Sequence, residues 1–224
     1  MSDYTDFEKA KKFLQNISYK DLGFSTEGEL DIFIEEVIPM ASRFIDTYCN
    51  RPVDFFAAGG ATVTEYFNGL GSSPPSEYLQ YAREQALWLD RARVFILSER
   101  PLLSVTSVEE LESGAWTERT VGDSSSYDYR QVGGQIYFWK NIPAVGWKNL
   151  KVVYKAGYSA IPSDVEWVCA RLIANEIQAA TEDRMAAVMT FARPGMVDFE
   201  DPKIFSKDLA ERLAPYRKVP MGVL

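Results

Sequence analysis

The chain has 224 residues, 46% hydrophobic and 25% charged, with a formal net charge of −8. This size and balance specify a soluble globular protein of one large or two small domains, and they exclude disorder along the whole length. Histidine is absent, which removes Ser-His-Asp and Cys-His catalysis and most zinc sites, leaving only carboxylate or lysine chemistry.

The acidic excess comes with no block of Lys or Arg of the kind that grips phosphates by counterion release. It fits plain solubility, or a wall that repels nucleic acid moving past it. Two distant cysteines, Cys49 and Cys169, make no disulfide framework and point to a reducing compartment. The start, MSDYTDFEKAKKF, lacks the apolar run of a signal peptide. No stretch is long enough to span a bilayer, so the expectation is synthesis in a cytoplasm and no membrane partner.

In chain order, a short helix is predicted over Asp6 to Asn16, with Phe7, Ala10, Lys11 and Leu14 on one stripe. From Gly28 to Asn50, Leu30, Phe33, Ile34, Val37, Ile38, Ala41, Phe44, Ile45 and Tyr48 recur at three- and four-residue spacing, the pattern of a long amphipathic helix. Pro39 predicts a kink or break within it, and Asn50-Arg51-Pro52 a stop. The texture then turns to β: Ala61 to Phe67 alternates, and Asn68-Gly69 signals a turn. Leu70 to Tyr81 reads as a polar loop, and Tyr81 to Val94 as a short helix or the approach to a strand. Further strands are predicted at Val94–Leu97, Leu103–Leu111, Tyr127–Tyr129, Gln135–Trp139 and Asn149–Tyr154, separated by glycine-bearing turns. After Pro162 the period is helical again to about Thr181, with Ser163 and Glu166 spaced as a capping box. Met185 to Pro202 reads as an extended link, Lys203 to Ala214 as a last helix, and Met221 to Leu224 as a tail.

The order of elements predicts an α+β fold, a helical bundle with an inserted antiparallel β-sandwich or small barrel domain. Its expected parts are a first helical segment (1–55), the β-rich insert (56–158), a second helical segment (159–185), a linker (186–203), and a C-terminal helix with tail (204–224).

Several landmarks in this order resemble the head–tail connector, or adaptor, family of tailed phages. A helix ends Phe44-Ile45-Asp46-Thr47-Tyr48, followed by Asn50-Arg51-Pro52, and a strand Thr64-Glu65-Tyr66-Phe67 runs into Asn68-Gly69. Then come Arg100-Pro101-Leu102 opening a strand to Val108, Tyr127-Asp128-Tyr129, and Gly134-Gln135-Ile136-Tyr137-Phe138. The most specific landmark closes the run: Val152-Val153-Tyr154-Lys155-Ala156-Gly157-Tyr158, then Ile161-Pro162 before a helix. The resemblance covers about Ser42 to Ala180. It has no counterpart for the first thirty or so residues or for Pro74 to Leu89, and it reaches the C-terminal arm by position alone.

What the resemblance implies is a structural protein of the virion neck. It would form a ring of copies, usually a dodecamer, below the portal protein. DNA would pass through the lumen without specific binding, and a tail-proximal neck or tail-completion protein would bind the other side. The family has no catalytic residues, so the expectation is no enzyme, metal or cofactor. The C-terminal helix, with Phe205, Leu209, Leu213, Tyr216 and the terminal Leu224, is the expected portal-docking element, laid in a partner's groove. The alternative is that it folds back on its own chain. Truncation after Asp201 is expected to leave a soluble fold and abolish docking.

Competing readings attach to other residues. Trp88, Trp116, Trp139, Trp147 and Trp167 could stack sugars, making the β-rich part a glycan-binding or tail accessory module; the favoured reading is that they fill a core and subunit contacts. Acidic residues around Asp123 and Asp128 lack calcium-loop spacing. The pairs Glu35/Glu36 and Glu109/Glu110 point to different faces and are expected to be solvated rather than catalytic.

Overall fold

A computed structural model describes residues 3–14, 18–71, 93–122, 128–189 and 205–218. The readings of 72–92 and of Asp123 and Trp88, most of the link to Pro202, and the terminal tail lie outside those residues. The chain divides into two compact units: Met1–Ala58 with Tyr158–Leu224, and Gly59–Gly157.

The first unit is helical. α1 (Phe7–Lys12) starts on Asp6, whose carboxylate accepts the Lys9 N–H at 2.7 Å. α2 (Glu27–Tyr48) starts on Thr26, whose hydroxyl accepts the Glu29 N–H at 3.2 Å. Pro39 lies inside α2 without ending it. Val37, Ile38 and Ala41 are buried on either side of it, so packing outweighs the lost backbone bond. α3 (Ser163–Met189) packs on α2 and α1 and continues through Met185–Met189, where an extended link was expected. The expected capping box is not formed there. Ser163 is already the first helical residue, and the Glu166 carboxylate goes to Lys9 Nζ at 2.5 Å instead. α4 (Lys207–Leu213) runs into a 3₁₀ turn, Ala214–Tyr216.

Val165, Val168, Leu172, Ile173 and Ile177 of α3 are buried, as are Leu30, Ile34, Val37 and Ile45 of α2. Each such side chain contributes roughly 1.5–3 kcal/mol.

The second unit holds seven strands: β1 (Ala61–Gly69), β2 (Val94–Ile96), β3 (Leu102–Glu112), β4 (Ala115–Glu118), β5 (Tyr129–Val132), β6 (Gln135–Phe138) and β7 (Gly146–Ala156). They form two antiparallel sheets, a four-stranded one ordered β1-β7-β3-β4 and a three-stranded one ordered β2-β6-β5. β4 was not read from sequence. It is joined to β3 through Ser113 (φ 51°) and Gly114 (φ 87°), the two left-handed residues of a tight hairpin turn. Asn68-Gly69, read as a turn, instead ends β1: Gly69 pairs with Gly146, and a Cβ there would lie 1.9 Å from the Ala144 carbonyl oxygen. Glycine is required by close approach, not by turning.

The expected fold class is overturned. The described residues form a mixed α/β protein with four α-helices and two antiparallel sheets, with no helical bundle and no closed barrel. A bundle needs several long helices side by side. Only α2 and α3 are long, whereas α1 and α4 have 6 and 7 residues, about 10 Å of helix each. The sheets do not close because β1 and β2 meet through side chains rather than a ladder: the Glu65 carboxylate accepts the Ser98 N–H, and Phe67 meets Phe95 edge to face at 5.6 Å. At the opposite seam a single bridge joins Val121 to Tyr129.

Candidate interaction surface

α4 and the residues flanking it include four of the five residues expected to dock on a partner. Leu209 and Leu213, one turn apart, are buried. Phe205 meets the rings of Phe44 and Tyr48 at 5.1 and 4.6 Å, and Tyr216 meets Phe56 and Tyr158 at 5.7 and 6.0 Å. The Lys218 N–H donates to the Cys49 carbonyl at 2.9 Å and Arg51 Nε to the Tyr216 carbonyl at 3.0 Å. Four of the five expected residues are therefore brought together, but turned into their own unit; Leu224 lies outside the described residues. Truncation after Asp201 would remove part of a core as well as a docking helix, so it does not separate the two roles.

Ionisable side chains inside each unit are engaged in holding segments together. In the helical unit, Tyr4 Oη donates to Asp46 Oδ1 at 2.5 Å, and the Asp54 N–H donates to Asp46 Oδ2 at 2.9 Å. The Phe56 N–H donates to the Tyr4 hydroxyl at 3.2 Å. Burial pushes the Asp46 carboxyl up to about 6 against the lowering effect of the Tyr4 hydrogen bond. Burial, then the neighbouring Asp46, pushes the Tyr4 phenol far up. Cys49 and Cys169 are buried free thiols, each pushed up to about 12 by burial, which makes them inert rather than nucleophilic.

In the β unit, Tyr154 Oη and Ser98 Oγ both donate to Glu65, and the Glu99 N–H donates to Tyr154 Oη at 3.1 Å. Burial, then Glu65, raises the Tyr154 phenol. Glu109 pairs with Lys151 at 2.5 Å, and this pairing holds it below the ordinary carboxylate range. Glu110, expected in solvent, is buried, bonded to Arg119 and to the Ala144 N–H. Glu35 and Glu36 are exposed as expected. Burial pushes Asp128 up, but the Thr120 N–H, the Thr120 hydroxyl and Asn141 together hold it below its usual value, the signature of a fixed turn. Among the described residues no group of three His, Cys, Asp or Glu could hold a metal ion, and no helix is long and apolar enough to cross a membrane.

The tryptophans were expected to fill a core and subunit contacts; none of the four among the described residues is fully buried, and Trp88 lies outside those residues. Trp116 and Trp147 are exposed, Trp147 to 77%, while Trp139 and Trp167 are half-buried. Phe95, Phe138, Tyr129 and Tyr154 occupy the β core instead. On the outer face of the four-stranded sheet Trp116 and Tyr66 lie 6.0 Å apart, with Lys151 Nζ 4.9 Å from the Trp116 ring. Val145, 78% exposed, stands beside Trp147 at the start of β7. On the helical unit, Ile32, Met40 and Val53 are the exposed large apolar residues among those described. Of these, the Tyr66–Trp116 pair is a grouped exposed aromatic surface of the kind that can meet another molecule.

Comparison with known proteins adds no assignment: neither the models of known protein families nor the curated proteins give a match to this chain.

Proposed function

We propose that the chain is a structural head-to-tail adaptor of a tailed virus, one subunit of a ring under the portal through which DNA passes and on which the tail is built. The observation that carries this reading is the meeting of its two landmark segments. Arg51-Pro52 and Gly157-Tyr158 are more than a hundred residues apart, yet Tyr158 stacks on Phe56 at 5.9 Å and pairs with Ala58, and Arg51 stands 4.5 Å over Phe55. Two of the stretches that resemble the connector family thus end in one aromatic cluster of the helical unit.

A surface-building role suits a chain with no histidine and with both thiols buried, which leaves it without imidazole or thiolate catalysis. Its acidic excess suits a lumen that DNA crosses without adhering. Portal protein on one side and a neck or tail-completion protein on the other are the proposed partners, with the virion neck as the proposed location.

Negative-stain images of the purified chain, alone and mixed with its portal, test this reading. Rings or caps on the portal are expected; a portal left bare at saturating chain would overturn it. A second reading, a glycan-binding module, is favoured by exposed Trp147 and by the Tyr66–Trp116 pair. Retention on immobilised glycans, lost in Trp147→Ala and Trp116→Ala, would support that reading instead.

A further inference from the structure

The outer face of the three-stranded sheet is used by none of the contacts above. In the register of β2, β6 and β5, Ile96, Gln135 and Val132 form one row across the sheet, and Val94, Tyr137 and Arg130 form the next. Trp139, two residues after Tyr137, continues the face just past β6. Phe95, Ile136, Phe138 and Tyr129 alternate with these residues and are buried, the pattern of a sheet with one face on a core. The first row keeps its aliphatic ends in water: Ile96 and Val132 are 46% and 47% exposed. The spacing of neighbouring strands puts them roughly 10 Å apart, on either side of Gln135.

Arg130 is the only charged residue in the three strands. Its guanidinium stands 4.2 Å from the Trp139 ring and 5.1 Å from that of Tyr137, and the two rings meet edge to face at 5.3 Å. Its Nε is buried with no hydrogen-bond partner, and among the described residues Arg130 has no ion pair. Asp128, two residues before it, is spent on Thr120 and Asn141. Other cations of the chain are matched: Lys9, Lys11, Arg119 and Lys151 each pair with a carboxylate. Arg130 is thus a cation fixed by two rings and left without an anion, in a chain where acidic side chains outnumber basic ones by 32 to 24.

We propose that this face docks a protein partner that presents a carboxylate to Arg130 and lays apolar side chains on Ile96 and Val132. The planar guanidinium takes both oxygens of a carboxylate, and the stacked rings hold it ready, so little side-chain freedom is lost on binding. Trp, Tyr and Arg together with flanking aliphatics are the composition of the centre of a protein interface. One cation on an acidic chain is too few for a nucleic acid, whose affinity grows with the number of phosphates neutralised. A second copy laid face to face would set Arg130 against Arg130. The inference concerns the β unit alone and needs neither the ring nor the portal.

The test is selection of a displayed random-peptide library on the immobilised full chain, followed by titration of the recovered peptides by fluorescence anisotropy. The peptides are expected to carry Asp or Glu beside Leu, Ile or aromatic side chains, and to lose at least about tenfold in affinity when that acid is made its amide. The same loss is expected in Arg130→Met, which keeps an apolar stem on the rings, and in Ile96→Asp, which sets a carboxylate against the occupant's own at an exposed position. Both variants are checked for folding by circular dichroism. Arg130→Lys, with the charge but not the planar fork, is expected to fall between Arg130→Met and wild type. Three results would each overturn the site: no peptide enriched over a blank surface, recovered peptides without acidic residues, or undiminished binding by both folded variants. A short oligothymidine strand bound by wild type and released by Arg130→Met would give the face to nucleic acid and overturn it as well.

Discussion

Each unit sets a tyrosine hydroxyl against a carboxylate, and the two pairs differ in how far the carboxylate is buried. In the helical unit Asp46 is 3% exposed and receives Tyr4 Oη and the Asp54 and Phe55 N–H groups, so the N-terminal segment, α2 and the loop after α2 converge on one desolvated charge. In the β unit Glu65 is half-buried and receives Tyr154 Oη, Ser98 Oγ and the Ser98 N–H, which spans the seam between β1 and the chain after β2. The first is a latch whose strength depends on protonation. The second is a staple on a carboxylate that keeps part of its contact with water. A buried carboxylate becomes pH-sensitive when its donors do not make up for lost water.

Breaking the helical unit outright is the largest expected effect. Leu213→Ala should cost about 2–5 kcal/mol, read by urea denaturation. A loss under about 1 kcal/mol would mean that α4 is not part of that core. Next comes pH. Asp46 rises from 3.8 to about 6 on folding, so its contribution favours the folded state fully below about pH 4 and is lost as pH rises through 6. Relative to Asp46→Asn, which cannot titrate, the wild type should therefore lose up to roughly 3 kcal/mol between pH 4 and pH 7. A pH-independent difference between the two would sink the latch.

The direct contrast is Tyr4→Phe against Tyr154→Phe at pH 7. Tyr4→Phe removes a donor from a carboxylate shut off from water and should cost about 2–3 kcal/mol, whereas Tyr154→Phe removes one from a half-buried carboxylate that water can reach and should cost about 1 kcal/mol. Equal losses would erase the distinction drawn between the two units. The smallest effect is at exposed Lys12: Lys12→Glu should change stability by less than about 0.5 kcal/mol in the same urea titration.

Local pattern carried much of the fold and almost none of its closure. The apolar period of α2 was legible from Leu30 to Tyr48, and the strands around Val94, Leu103, Gln135 and Asn149 were legible as short runs between turn residues. β4 was missed because Ala115-Trp116-Thr117-Glu118 is exposed throughout and shows no alternation, although Ser113-Gly114 carried the hairpin signal. Asn68-Gly69 was misread because the demand for glycine comes from Ala144, more than seventy residues away. The bundle expectation failed on length, since α1 stops at Lys12 and α4 starts only at Lys207. Whether two sheets join into a barrel depends on pairings between distant strands, which a period-2 pattern does not encode.

The docking residues show the same limit. Phe205, Leu209, Leu213 and Tyr216 were legible as one apolar face, but a core-facing stripe and a partner-facing stripe look alike in sequence. The Tyr4–Asp46 latch joins residues 42 positions apart, and nothing near either residue announces it. The edge-to-face contact of Phe13 with Trp167 joins α1 to α3 across still greater separation.

Native mass spectrometry of the chain mixed with its assembled portal tests the adaptor reading most directly. A discrete complex carrying one copy of this chain per portal subunit is the predicted result. A portal that keeps its own mass at excess chain, with the chain recovered free, would contradict it.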